Sequence, residues 1–332
     1  MLSDLKRHIK DRTPAALYVF HGEETYLRDH YLTRLKELIV PEGTETFNLS
    51  RFDDKITPDG LSQAVTAAPF MADRRLVLLW DADIYKADAE TKDALIEHIG
   101  GLDGVTMVIV YDAAPYKPDA RTKLFKAVSN AGVTVEFKQQ SAADLLPWIR
   151  RRFEALGKQI DDPEYLLFLC GHLMAPLTLE IEKIAAYCNA PDGRVKRRHI
   201  DAVGTPTVEA AAFDMTDAIC AGQFGKALTL LRRMLDMREE PVMLLGALGK
   251  QMRGLYLARL TLDRGQGSQV VMKGMGYRSV YPANKLIQAA KRVKPAWCRR
   301  AVLLCAEADS DIKQGRDKQA VLERLIMELS VC

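Results

Sequence analysis

The sequence predicts an α/β domain built on a parallel sheet, followed by two all-α blocks. Apolar runs of strand length alternate with stretches of helical period from residue 16 to about residue 140. The strand-like runs are nearly continuous in apolar residues, as strands covered by helices on both faces must be. From about Ser141 the strand-like runs stop.

The first strand is Ala16-Leu17-Tyr18-Val19-Phe20, five apolar residues closed by a tight turn at Gly22. A helix over 26–40 follows, with Leu27, Tyr31, Leu32, Leu35 and Leu38 near helical spacing. Residues 46–52 make a second, weaker strand, and 57–67 a helix with Pro58 in its first turn. Strands over 75–80, 105–111 and 133–137 are separated by helices over 88–99 and 119–130.

A helix over 141–156 then takes Ser141 as N-cap with Asp144 at its third position, and Gly157 ends it. Helices over 162–170 and 177–187 and a short one from near Ile200 complete a small helical block, and Gly204-Thr205-Pro206-Thr207 reads as a linker. The remainder is helical, over 211–220, 224–234, 241–260, 283–291, 295–310 and 319–329. The expected domains are therefore 1–140, α/β; 141–207, small and helical; and 208–332, helical.

A chain of 332 residues, 48% apolar and 27% charged, has the composition of a soluble globular protein with a large core. Its six cysteines form neither a C-x-x-C pair nor a regular framework, and read as reduced thiols, buried except for a loose terminal Cys332. The charged start lacks the apolar core of a signal peptide, and no apolar run has membrane-spanning length, so a cytoplasmic location is expected. The net charge of +3 is unevenly spread. Between Lys250 and Arg316 there are fourteen Lys/Arg against four Asp/Glu, with Tyr277, Tyr281 and Trp297 interleaved. That is either a solvated face with core aromatics or a surface for phosphates and bases.

The turn at Gly22 stands where a nucleotide-binding domain carries its phosphate loop. Such a loop needs glycines, a Lys for the phosphate charge and a Ser/Thr for magnesium. Here Glu23 and Glu24 occupy the place of the phosphates and no Lys follows. Asp81-Ala82-Asp83 has the position of a magnesium-binding pair but reads as turn residues without that loop. The six histidines are scattered, without metal-ligand spacing, and no nucleophile motif is present, so neither a metal nor a cofactor is expected.

One further stretch stands out. In Ala67-Ala68-Pro69-Phe70-Met71-Ala72-Asp73, Pro69 stops a helix and two large apolar residues fall in a polar connection. Periodicity alone favours Phe70 and Met71 folding back as a cap on the sheet. The other reading is an exposed wedge for a partner's pocket.

Taken together, residues 17–27, 69–77, 119–124 (Asp-Ala-Arg-Thr-Lys-Leu), 179–184 (Leu-Glu-Ile-Glu-Lys-Ile) and 307–315 (Glu-Ala-Asp-Ser-Asp-Ile-Lys-Gln-Gly) resemble the delta subunit of the bacterial DNA polymerase III clamp loader. No single stretch is specific, but the five occur in order over nearly the whole chain. The resemblance implies an AAA+-like fold whose sheet domain has lost its phosphate loop and does not hydrolyse ATP, a lid-like small domain, and a C-terminal collar that joins other loader subunits. It also implies a subunit that is not catalytic by itself within a DNA-directed polymerase (nucleotidyltransferase) holoenzyme. Its partners would be the ring-shaped sliding clamp (beta), subunits of tau/gamma and delta-prime type, and primed DNA through the assembled complex, with no membrane. The family's clamp-binding pair at a helix tip corresponds to Phe70 and Met71, after Pro69, with Phe-Met where some relatives have Leu-Phe. Tyr281, Lys285 and Arg278 become candidates for contact with DNA. Two alternatives stay open: another inactive AAA+ loader subunit, and a phosphometabolite-binding α/β enzyme that uses a helix N-terminus.

Overall fold

The computed structural model describes residues 1–331; Cys332, expected as a loose thiol, lies outside them. The chain divides into two compact units, Met1–Gln139 with Leu173–Ala175, and Gln140–His172 with Pro176 onward.

The first unit contains α1 (Leu2–Asp11), β1 (Leu17–His21), α2 (Thr25–Ile39), α3 (Glu45–Asn48), β2 (Leu49–Asp53), α4 (Pro58–Thr66), β3 (Arg75–Trp80), α5 (Ala89–Ile99), β4 (Val105–Val110), α6 (Lys123–Ala131) and β5 (Gly132–Glu136). The five strands form one all-parallel sheet in the order β2-β3-β4-β1-β5. Side chains on successive strand residues point to opposite faces. Leu17 and Val19 therefore pack with Leu61, Leu95 and Leu124 from α4, α5 and α6. Tyr18 and Phe20 pack on the other face with Leu5 of α1 and Leu35 and Ile39 of α2. Both faces are covered, which is why the strands read as continuous apolar runs.

Local signals start the helices. The Thr57, Asp88 and Thr122 side chains accept the N–H of Gly60, Thr91 and Phe125 at 3.2, 2.7 and 3.2 Å, which opens α4, α5 and α6. The cap at Thr122 explains why α6 starts later than its periodicity predicts: Asp119 and Arg121 form a preceding turn, closed by an ion pair of 2.9 Å.

The second unit contains α7 (Ala142–Ala155), β6 (Gln159–Ile160), α8 (Pro163–Cys170), α9 (Met174–Tyr187, its first two residues grouped with the first unit), β7 (Arg194–Val195), α10 (Arg197–Val203), α11 (Val208–Cys220), α12 (Phe224–Asp236), α13 (Pro241–Asp263), α14 (Ser268–Met275), α15 (Val280–Ala290), α16 (Pro295–Lys313) and α17 (Lys318–Ser330). Ser141 caps α7, accepting the Asp144 N–H at 3.3 Å while its hydroxyl donates to the Asp144 carboxylate. The core runs along α11 to α17 through residues such as Leu231, Leu248, Met252, Leu304 and Leu325.

Five elements depart from the expectation: α1, α3, β6, β7 and α14. The helix α1 was not expected, nor was α14. The stretch 46–52 divides into one turn of helix, α3, and the strand β2. Strands do not stop at Ser141, because Gln159–Ile160 pairs in parallel with Arg194–Val195.

Candidate functional site

The turn after β1 is built on a glycine. Gly22 has φ +122°, and a Cβ there would lie 2.4 Å from the main-chain oxygen of Phe137, just beyond β5. That oxygen accepts the Glu24 N–H at 3.0 Å, and the Phe137 N–H donates to His21 at 2.7 Å. The two carboxylates part company here. Glu23 is exposed, whereas Glu24 is buried at the head of α2. Both oxygens of Glu24 lie 3.2 Å from the Met174 N–H, which belongs to the same unit. Burial pushes the Glu24 carboxyl above its usual range, against hydrogen bonds from the Met174 and Tyr26 main chain that favour the anion. A buried carboxyl group thus sits at the head of α2, hydrogen-bonded to the Met174 main chain.

The cation nearest this turn in sequence is Arg28, which the apolar pattern does not single out. It is buried, paired with Asp29 at 2.8 Å and Asp112 at 2.6 Å, and stacked 5.0 Å from the Trp80 ring. Asp81 and Asp83 are committed locally: Asp81 accepts the N–H of Asp112 and Ala114 at 2.9 and 2.8 Å, and Asp83 accepts from Tyr85 and pairs with Lys86. Among the described residues no group of His, Cys, Asp and Glu could hold a metal ion.

Pro69, Phe70 and Met71 lie in the loop between α4 and β3, not on the helix itself. Pro69 is half-buried, but Phe70 is 47% exposed and Met71 81%, so the pair forms no cap on the sheet. Met71 takes a left-handed φ of 51°, unusual for a side chain of its size. The loop is anchored by buried Asn48, whose amide exchanges two hydrogen bonds with the main chain of Phe70. The Phe47 ring, also exposed, lies 4.8 Å from that of Phe70. Beside Met71 a cleft of about 540 Å³ is lined by Arg12, Pro41, Asp73 and Arg74 among others. The loop enters the N-terminal end of β3, while Gly22 follows the C-terminal end of β1, so in this all-parallel sheet the two features lie at opposite ends of the strands.

In the second unit much of the basic segment is neutralised. Arg259, Lys285, Arg292, Arg300, Lys313 and Arg316 form ion pairs, two of them with Asp214 and Asp217 of α11. Tyr277 and Trp297 pack against the helical core. Tyr281 is half-buried, its ring 5.2 Å from Phe168, and Lys285 lies 4.4 Å above that same ring. A cavity of about 390 Å³ is bordered by Thr216, Tyr281, Asn284, Lys285 and Arg292. Arg278 is exposed on the turn before α15 and does not line it. Burial raises the thiols of Cys170, Cys220 and Cys305 to about 12 and that of Cys298 to about 11, so these are inert core groups. No described helix is long and apolar enough to cross a membrane.

Comparison with known proteins gives one family at both ends of the chain. Residues 18–138 match the model of the DNA polymerase III delta subunit, and residues 209–329 that of the delta subunit's C-terminal domain. The chain is similar to DNA polymerase III subunit delta of Bacillus subtilis (24% identity, covering 99% of this chain and 97% of the relative) and of Escherichia coli (23%, covering 95% and 91%). Its fold is similar to the solved DNA clamp loader delta protein of Bacillus subtilis, with a TM-score of 0.51 at 22% identity over the full length of both chains. The parallel sheet with its helices is thus the AAA+-like architecture of that protein. With its sheet unit and its terminal helices matched by two models of one family, the chain belongs to the DNA polymerase III delta subunit family.

Proposed function

We propose that this chain is the clamp-loader subunit that binds a ring-shaped sliding clamp through Phe70 and Met71 and helps open it for loading on primed DNA. The observation that carries the reading is the exposure of two large apolar side chains on an anchored loop of the sheet unit. Leaving such a pair in water is unfavourable, and each side chain buried in a partner's pocket contributes about 1.5–3 kcal/mol. A ring closed by its own interfaces opens only if the wedge binds the open form better than the closed one. In this reading ATP-driven changes in the other loader subunits hide or present the loop. This subunit itself hydrolyses no ATP, since a buried carboxyl group sits at the head of α2 and no phosphate-loop Lys follows Gly22. Residues 1–140 would then bind the clamp and 208–332 form the collar with tau/gamma and delta-prime type subunits, 141–207 lying between them in sequence. Family membership favours this reading over a phosphometabolite-binding enzyme.

Size-exclusion chromatography of the purified chain with purified sliding clamp tests it. Co-elution at micromolar concentration is expected, and separate elution overturns the reading. A second contact, of primed DNA with Tyr281 and Lys285, is favoured by the partly polar cavity that they border. Arg278, exposed on the preceding turn, would extend that surface.

A further inference from the structure

We infer that Asn48 holds the Phe70–Met71 loop in its docking conformation and that Phe47, beside it, is a third apolar anchor for the clamp; this rests on the clamp-binding reading of that loop. Asn48 closes α3 directly before β2, and the loop lies before β3. Because β2 and β3 pair in parallel, with Leu49 opposite Leu76, the residues preceding each strand meet at the N-terminal end of the sheet.

There the Asn48 side chain behaves like a short piece of neighbouring strand. Its Nδ2 donates to the Phe70 carbonyl at 2.7 Å and its Oδ1 accepts the Phe70 N–H at 2.8 Å. The remaining Nδ2 proton goes to the Thr44 hydroxyl oxygen at 2.9 Å, so a fully buried amide has both protons placed. Both Phe70 groups are satisfied only with this orientation of the amide, since the reverse would set donor against donor. Asp at this position would keep only the acceptor, and Ala neither group. The left-handed Met71 follows directly. A non-glycine residue persists there only where its surroundings fix it, and the two bonds to Phe70 supply that constraint.

Phe47 completes the surface. It is 56% exposed, its ring touches Phe70, and neither the core on one face of the sheet nor that on the other includes it. Phe47, Phe70 and Met71 therefore present one continuous apolar patch, contributed by two segments more than twenty residues apart. A clamp pocket that accepts Phe70 meets Phe47 in the same encounter.

Association and dissociation rates against purified sliding clamp separate the roles. A positioning residue changes the fraction of molecules in the competent conformation, so Asn48→Ala should slow association about tenfold and leave dissociation nearly unchanged. A contact residue acts on the bound state, so Phe47→Ala should speed dissociation about fivefold at an unchanged association rate. Asn48→Asp sets a carboxylate oxygen against the Phe70 carbonyl where the amide donated, so it should slow association at least as much as Asn48→Ala; Asn48→Ser, which also loses the paired bonds to Phe70, should slow it too and carries the test should Asn48→Ala lose the native circular dichroism signal. If Phe70→Ala with Met71→Ala abolishes binding while the Asn48 and Phe47 variants keep wild-type rates, the inference fails and the clamp reading stands. If the Phe70/Met71 double variant binds as wild type, the clamp reading itself fails.

Discussion

The Met174 N–H lies 3.2 Å from each carboxyl oxygen of Glu24, which places a buried carboxyl group at the head of α2 in the turn that follows β1. No Lys follows Gly22 in this turn to offset phosphate charge.

A pH dependence follows from that burial. The folded-state pKa of Glu24 is raised, so the folded protein binds more protons than the unfolded chain in the window between the ordinary carboxylate value and the raised one. Stability from this group is highest at low pH and is lost as pH rises through the window. Glu24→Gln removes the slope. Urea unfolding of both proteins from pH 4.5 to 7.5 should therefore show wild type losing stability relative to the variant as pH rises; a constant difference would contradict this.

Gly22 and Gly43 form a matched pair of probes. Both have positive φ, but a Cβ at Gly22 meets the Phe137 main chain at 2.4 Å, while nothing lies within 4 Å of one at Gly43. Gly43→Ala should cost about 1 kcal/mol, the left-handed backbone penalty alone. Gly22→Ala should cost clearly more, about 2 kcal/mol or above, because backbone must move. Denaturant midpoints check the order.

Much of the sheet unit was legible because burial on both faces leaves a continuous apolar run, as in Leu17 to Phe20. The elements that escaped are those whose signal is tertiary. A single helical turn such as α3 is too short to show a period, and two-residue strands such as β6 and β7 are defined only by their pairing. The Phe70 and Met71 pair was visible as apolar residues in a polar connection, but their exposure was not, since periodicity favoured a cap. Asn48 and Phe47 carried no signal, because a bond spanning 22 residues exists only once β2 and β3 are paired.

Nucleotide binding gives a separate check on the turn. With a buried carboxyl group at the head of α2 and no Lys to offset phosphate charge, fluorescence titration with magnesium ATP should show no saturable binding at micromolar concentrations. Saturation in that range would mean that the turn still works as a nucleotide site.

The basic helical unit is tested in the assembled loader. Tyr281→Ala with Lys285→Ala should weaken binding to primed DNA and lower the slope of log affinity against log salt by about 0.7–0.9, the share of one phosphate contact. Because Lys285 also pairs with Asp214, the thermal stability of the variant is measured alongside. Unchanged affinity and slope would leave this surface without a DNA role.

In the proposed function the apolar loop before β3 grips the clamp. Titration of purified sliding clamp with wild type and with Phe70→Ala/Met71→Ala measures it directly. Two buried side chains at about 1.5–3 kcal/mol each correspond to a loss of affinity of about a hundredfold or more, with only a small change in the unfolding midpoint, because Met71 is exposed and Phe70 packs chiefly on the exposed Phe47 ring in the free protein. Equal affinity for the two proteins would contradict the account.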